Sequence, residues 1–418
     1  MNPSPTRVAE FFLGLDFGTS GARSVVLDEV GKLVFESRVV YADPANSQNW
    51  REALFELIAG LPTDIRYGLS SLAIDGTSGT LLTTNSSLEP VSPALLYNDG
   101  QAVEEAANIS NLQFGATSGL AKRLWLARHF PDAAFCFHQA DWLLALLTGK
   151  PGITDYHNAL KSGYDIEALQ WPDWVTRLPG VHWQQKVLSP GEVIGTVSLD
   201  VAKHFNLNPD CTVRAGTTDS IAAFLASGAN APGDAVTSLG TTLVLKLLSE
   251  MRVDDSASGV YSHRFGKLWL AGGASNTGGG VLRQFFSNAE LITVSTKIDP
   301  VRPSGLDYYP LPKPGERFPI NDPNLEPCME PRPKDDAVFL HGLLEGMARI
   351  EVMGYRKLEA LGASPLKRVL TAGGGAQNET WRRIRQKFLG VPVTAATHAE
   401  AAYGTAQLAR LGKNLLPV

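Results

Sequence analysis

Cysteine is scarce: Cys136, Cys211 and Cys328 are the only three in 418 residues. They stand too far apart for a disulfide framework or a Cys-based zinc site, which fits a reducing compartment. No apolar run approaches the ~18 residues of a membrane helix, and the polar stretch Met1 to Glu10 leaves no room for a targeting segment, so the expectation is a cytoplasmic protein. Positive charge is not in excess either. With 37 basic and 42 acidic side chains the net charge is -5, so there is no electrostatic case for nucleic acid or an anionic membrane as partner. Eight histidines show no metal-ligand spacing. Familiar phosphate loops are missing too: the Gly-Lys pairs at Lys32, Lys150, Lys267 and Lys413 are followed by Leu, Pro, Leu and Asn, not Ser or Thr. No G-x-G-x-x-G or G-x-S-x-G occurs, which argues against P-loop NTPases, protein kinases, Rossmann dehydrogenases and elbow-type serine hydrolases.

What is present is a set of short turns that combine glycine with hydroxyls. They are Gly14-Leu15-Asp16-Phe17-Gly18-Thr19-Ser20-Gly21, Gly216-Thr217-Thr218-Asp219 and Leu239-Gly240-Thr241-Thr242. Glycine lets backbone N–H groups approach phosphate oxygens, and Thr and Ser add donors. The acids need another reason, either a divalent metal shared with the phosphates or removal of a proton from an attacking group. Taken singly, Asp16 reads equally as a turn former and Asp219 as a helix N-cap. Gly373-Gly374-Gly375-Ala376-Gln377-Asn378, between a strand and a helix, suits either a purine nucleoside or a tight connection, and Gly278-Gly279-Gly280 is a weaker phosphate candidate. Asp75 to Thr80 and Tyr97 to Gln101 offer polar groups to a sugar, with Ser78 and Asp99 the candidate contacts and hairpin or cap roles the alternative.

The length and the 44% hydrophobic content predict two cores, divided as 1–230 and 231–418. Strands are expected over Phe11 to Leu15, Arg23 to Asp28, Leu33 to Val40 and Ser71 to Asp75, with helices following and a connecting region over Trp171 to Pro209. The pattern restarts at Thr212. A strand pair around Gly240 echoes the turn near Gly18, and Pro300 to Pro333 reads as an irregular excursion before a long helix from Asp336.

Together the five segments Gly14 to Ser20, Gly76 to Gly79, Gly216 to Asp219, Leu239 to Thr242 and Gly373 to Asn378, in this order along the chain, resemble the FGGY carbohydrate kinases of the actin, hexokinase and Hsp70 ATPase superfamily, and most of all their short D-ribulose kinases. The resemblance implies an α/β protein of two ribonuclease-H-like domains around a central cleft, the first holding sugar and the second ATP. It implies Asp219 as general base, and Asp16 as catalytic and as holding Mg2+ through water. Ser78 and Asp99, with Asp16 and Asp219, would contact the sugar. Gly18, Thr19, Ser20, Gly240, Thr241, Thr242 and Gly278 would grip phosphates, and Gly374, Gly375, Asn378 and Trp381 would line the adenosine pocket. D-ribulose is the expected substrate, xylulose or another small polyol the alternative, and a catalytically weak ATP or sugar sensor the alternative of another class. A monomer or homodimer is expected. Longer family members carry Trp and Arg around the sugar-contacting acid where this chain has Tyr97 and Gln101.

Overall fold

The computed structural model describes residues 9–109, 114–178 and 185–417, so residues 1–8 of the opening stretch and 179–184 of the connecting region lie outside the described residues. The chain divides into two compact units, Met1–Ala226 with Glu400–Leu415, and Ser227–Ala399 with Leu416–Val418.

In the first unit β1 (Phe11–Phe17), β2 (Gly21–Leu27) and β3 (Leu33–Val40) form an antiparallel meander. β4 (Leu69–Gly76) pairs with β1 in parallel. β5 (Val193–Thr196) pairs antiparallel with β6 (Thr212–Arg214), β6 pairs parallel with β4, and the two-residue β7 (Thr217–Thr218) extends along the end of β4. Strands paired this way are buried on both faces, so they read as continuous apolar runs. Leu13, Leu15, Leu72 and Ile74 turn one way and pack with Trp50 and Leu54 of α1 (Ser47–Ala59) and with Trp142 and Leu143 of a later helix. Phe12, Val25 and Leu27 turn the other way, onto Ala402 and Ala406 of the closing helix (Ala401–Leu411). α2 (Gly119–His129), α3 (Gln139–Thr148), which carries Trp142, and α4 (Asp219–Ala226) complete the elements that matter below.

The closing helix corrects the expected division. Residues 400–415 were assigned to a second domain running over 231–418, yet they belong to the first unit. Small residues are the cause: a Cβ at Gly404 would lie 1.9 Å from the carbonyl oxygen of Ala222 in α4, so only glycine lets the two helices touch backbone to backbone.

The second unit repeats the plan. β8 (Asp234–Leu239) and β9 (Leu243–Ser249) form a hairpin, β10 (Tyr261–Phe265) and β11 (Leu268–Ser275) extend the antiparallel half, and β12 (Arg368–Ala372) and β13 (Val393–Ala395) continue in parallel from β8. The β10–β11 hairpin was not expected, because polar and glycine residues interrupt its alternation. α5 (Asp336–Ala360) starts at Asp335, whose side chain accepts from the Ala337 N–H at 2.8 Å, and α6 (Glu379–Leu389) follows β12. The proline-rich stretch between α5 and the preceding helix carries only the isolated bridges Tyr309↔Cys328 and Glu316↔Asp322. Among the described residues no helix is long and apolar enough to cross a membrane.

Candidate functional site

In the first unit three acids stand at the carboxyl ends of neighbouring strands, where open α/β sheets bind ligands. Asp16 and Asp75 are register partners on β1 and β4, Thr217 is the partner of Asp75 on the other side, and Asp219 opens α4 two residues later. Asp75 was not singled out from the sequence; the available signal was a lone carboxylate in the otherwise apolar strand Leu72 to Gly76. It is fully buried, and its Oδ2 accepts from the Thr405 hydroxyl. Burial, and after it the charge of Asp16, pushes the Asp75 carboxyl well above the usual carboxylate range. Its Oδ1 has no donor to accept from among the described residues. Oδ1 is thus the oxygen left to face Asp16, the register partner of Asp75 on β1. Burial also raises Asp16, the bond from Asp75 opposes that, and the charge of Asp219 adds to it. Tyr41 is a further residue the sequence did not reveal. Its buried phenol faces the charges of Asp16 and Asp75, which together with burial push it up, and its N–H donates to the Ser20 carbonyl at 3.1 Å.

The turns beside these acids are set by tight packing. Gly18 N–H closes the β1–β2 hairpin on the Gly21 carbonyl at 3.0 Å, leaving Thr19 and Ser20 exposed. The buried imidazole of His157 holds Thr217, Nδ1 to Oγ1 at 2.7 Å. Gly216 has no room for a side chain: a Cβ would stand 1.7 Å from the Ile74 carbonyl oxygen, one residue before Asp75. Gly216→Ala is therefore expected to destabilise the first unit by about 1–3 kcal/mol through overpacking, read as a lower urea midpoint; an unchanged midpoint would show that the β4–β6 approach can relax.

The candidate sugar residues are joined by one buried cation that sequence reasoning missed. Lys122, in α2, donates from Nζ to the carbonyls of Gly79 at 2.9 Å and Leu96 at 2.6 Å. It thereby ties the loop carrying Ser78 to the loop carrying Asp99. Burial pulls its ammonium down to about 8, while the charge of Asp99 acts the other way. Asp99 caps its own turn, accepting from Gln101 N–H at 3.0 Å, and Ser78 is half-buried.

In the second unit the remaining loops come together at the ends of β8 and β12. Gly240 N–H donates to the Thr242 carbonyl at 3.2 Å, and the N–H groups of Gly279 and Gly280 donate to the carbonyls of Gly240 and Thr241, both at 2.9 Å. Gly278 is thus joined to the Gly240–Thr242 turn, and Arg283 adds a bond to Thr241 Oγ1 at 2.9 Å. The Gly373–Gly375 loop begins where β12 ends, with Ala372 the register partner of Ser238 beside Gly240. Two expectations change here. Trp381 is 2% exposed and packs in the second core with its ring against Gly375, so it supports the loop from beneath and offers no open face to adenine. Asn378 is occupied structurally, its Oδ1 capping α6 at Trp381 N–H and its Nδ2 donating to Ser295 Oγ, both at 2.9 Å. Gly374 is exposed.

Among the described residues no three His, Cys, Asp or Glu side chains gather at metal-ligand spacing. A magnesium ion keeps several waters and needs only one or two protein carboxylates beside substrate phosphates. Asp16 and Asp219, close enough for the charge of one to raise the other, together with the unpartnered buried hydroxyl of Thr218, fit an ion held in that way.

Residues 235–412 match the C-terminal domain of the FGGY family of carbohydrate kinases. The chain is 24% identical over 409 residues to a xylulose kinase of Lactococcus lactis, covering 88% of this chain and 81% of that one. It is 20% identical over 425 residues to a gluconokinase of Bacillus subtilis, with 90% and 82% covered. The crystal structure of a xylulose kinase from Rhodospirillum rubrum superposes with a TM-score of 0.82 at 20% identity, over 96% of this chain and 90% of that one. The two-unit α/β architecture is the fold of these sugar kinases.

Proposed function

We propose that the protein is an ATP-dependent kinase that phosphorylates the terminal hydroxyl of a small ketose, with D-xylulose ahead of D-ribulose. The observation that carries this reading is Asp219: an acid at the end of a parallel strand pair, next to the Asp16–Asp75 pair, in a chain with the FGGY domain. The sequence alone put D-ribulose first. Xylulose kinases among the relatives support placing D-xylulose first, and gluconate, named for another relative, is the next competitor.

In this reading Asp219 accepts the proton of the sugar's terminal hydroxyl as that oxygen attacks the γ-phosphorus, with ADP as leaving group. Ser78 and Asp99 orient the sugar, held in mutual register by Lys122. Asp16 would hold Mg2+ through water, and the ion would supply neutralisation of phosphate charge. Gly18, Thr19, Ser20 and the Gly240–Thr242 turn with Gly278 bind phosphate oxygens, and Gly374 and Gly375 face the nucleoside, so positioning and electrostatics carry the transfer.

A coupled assay of ADP release against D-xylulose, D-ribulose, gluconate, glycerol and no sugar tests the substrate. Magnesium-dependent turnover is expected to be highest with D-xylulose. A D-ribulose rate above it would restore the other order, and equal rates with and without sugar would remove the kinase reading.

A further inference from the structure

One turn of the closing helix touches every element that carries an acid of the site. Thr405 donates its hydroxyl to Asp75 Oδ2 in a fully buried contact. Gly404, the residue before it, sits on the carbonyl of Ala222 in α4, the helix that Asp219 opens. Ala406, the residue after it, lies over Gly14 of β1, two residues before Asp16: a Cβ at Gly14 would stand 2.2 Å from the Ala406 nitrogen. Further along, the Ala409 carbonyl accepts from Ser71 Oγ of β4 at 2.6 Å and from Arg214 Nε of β6 at 2.9 Å. The helix is thus pinned to β1, β4, β6 and α4 at once, and its one polar contribution at this level is the hydroxyl of Thr405.

We propose that Thr405 is a positioning residue for phosphoryl transfer: it fixes the Asp75 carboxyl, and through Asp75 the orientation of Asp16 relative to Asp219. A carboxyl group has two oxygens and can rotate. With Oδ2 held by Thr405, Oδ1 is the oxygen left to face Asp16, the register partner of Asp75 on β1, and the carboxyl plane is set by that contact. Without the hydroxyl, Asp75 Oδ2 becomes a buried polar atom with no partner, and the carboxyl is free to turn away from Asp16. Nothing about Thr405 touches sugar or nucleotide, so its effect falls on turnover while affinities stay put. This inference rests on the kinase reading for its catalytic part.

Thr405→Val keeps the shape and removes the donor, whereas Thr405→Ser keeps the donor. The expected result is a kcat at least tenfold lower for Thr405→Val, with KM for sugar and for ATP within about twofold of the parent and near-parental kcat for Thr405→Ser, a tenfold change corresponding to about 1.4 kcal/mol of barrier. Should Thr405→Val fail to fold, Thr405→Ala takes its place. Adding Thr405→Val to Asp75→Asn is expected to cost nothing beyond Asp75→Asn alone, because the two act as a unit. Parental kcat in Thr405→Val, or equal losses in the Ser and Val variants, would overturn the proposal, since the second result means packing alone. The same four proteins compared by urea unfolding separate this from the kinase reading. If the parent phosphorylates no sugar, that reading fails, while a Thr405–Asp75 coupling in stability stands or falls on its own, and additive losses there would refute the contact.

Discussion

Asp219→Asn is expected to lower kcat by roughly 10²–10⁴-fold, the usual contribution of a positioned general base, while nucleotide binding measured by calorimetry stays unchanged. The substitution is close to isosteric. Asp219 Oδ1 accepts from the Ser220 N–H at 2.6 Å, and an amide oxygen accepts the same bond, so α4 keeps its first turn. What the amide lacks is a proton acceptor of carboxylate basicity and a negative charge beside Asp16. Removing that charge also relieves Asp16, and because Asp219 stands with Asp16 where magnesium fits, an unchanged magnesium dependence of the residual turnover assigns the loss to the missing base. Near-parental turnover would show that another group takes the proton.

The second large effect is on stability. Arg385 of α6 and Glu351 of α5 are each about 1% exposed and meet in a bidentate pair, Nε to Oε2 at 2.6 Å and Nη2 to Oε1 at 2.7 Å. Arg385 also donates to Thr371 Oγ1 of β12 at 2.7 Å, and Thr237 of β8 donates to Glu351 Oε1 at 2.6 Å. Three hydrogen bonds reach the carboxylate, two at Oε1 and one at Oε2, and such bonding is the condition under which two charges tolerate burial. Arg385→Ala leaves the Glu351 charge inside without its counterion and is expected to destabilise the second unit by about 3–5 kcal/mol, seen as an earlier urea transition in tryptophan fluorescence. Glu351→Leu combined with Arg385→Met removes both charges and is expected to recover most of that loss. A loss below about 1 kcal/mol in the single variant would mean the pair behaves like a surface ion pair. Because α6 follows directly on the Gly374–Gln377 turn, the single variant is also expected to weaken nucleotide binding.

Local chemistry was readable from the sequence where the signal itself is local. The glycine and hydroxyl turns around Gly18 and Gly240 lie at strand ends because each needs only its own few residues to form a hairpin. Asp16 and Asp219 stood out because each is an acid within a glycine and hydroxyl turn, where a phosphate site gives it a reason. Asp75, Tyr41, Lys122 and Thr405 did not stand out, since what each does depends on which distant strand or loop it meets. Thr405 sits in Tyr403-Gly404-Thr405-Ala406, which reads as an ordinary apolar helix face, and only the register Asp16↔Asp75 gives its hydroxyl a partner of consequence. Trp381 misled for the opposite reason: its place after a glycine loop suggested a ligand wall, whereas its spacing with Ile384 puts it on the core face of α6. The substrate was the least readable feature, because Ser78, Tyr97, Asp99 and Gln101 are exposed or half-exposed polar residues whose loops are tied by Lys122, a helix residue distant in sequence.

The return of residues 400–415 to the first unit has a kinetic consequence. Residues 227–399 of the second unit are inserted within the first, so they leave the ribosome before the helix that covers one face of the acid-bearing sheet. Contacts such as Thr405 to Asp75 span most of the chain, and loops of that length are slow to close. Until they do, the β1–β2 face later covered by Ala402 and Ala406 stays open, and the acids lack the helix that aligns them. A fragment cut at Ala226 would carry Asp16, Asp75 and Asp219 without Thr405, the donor to Asp75 Oδ2.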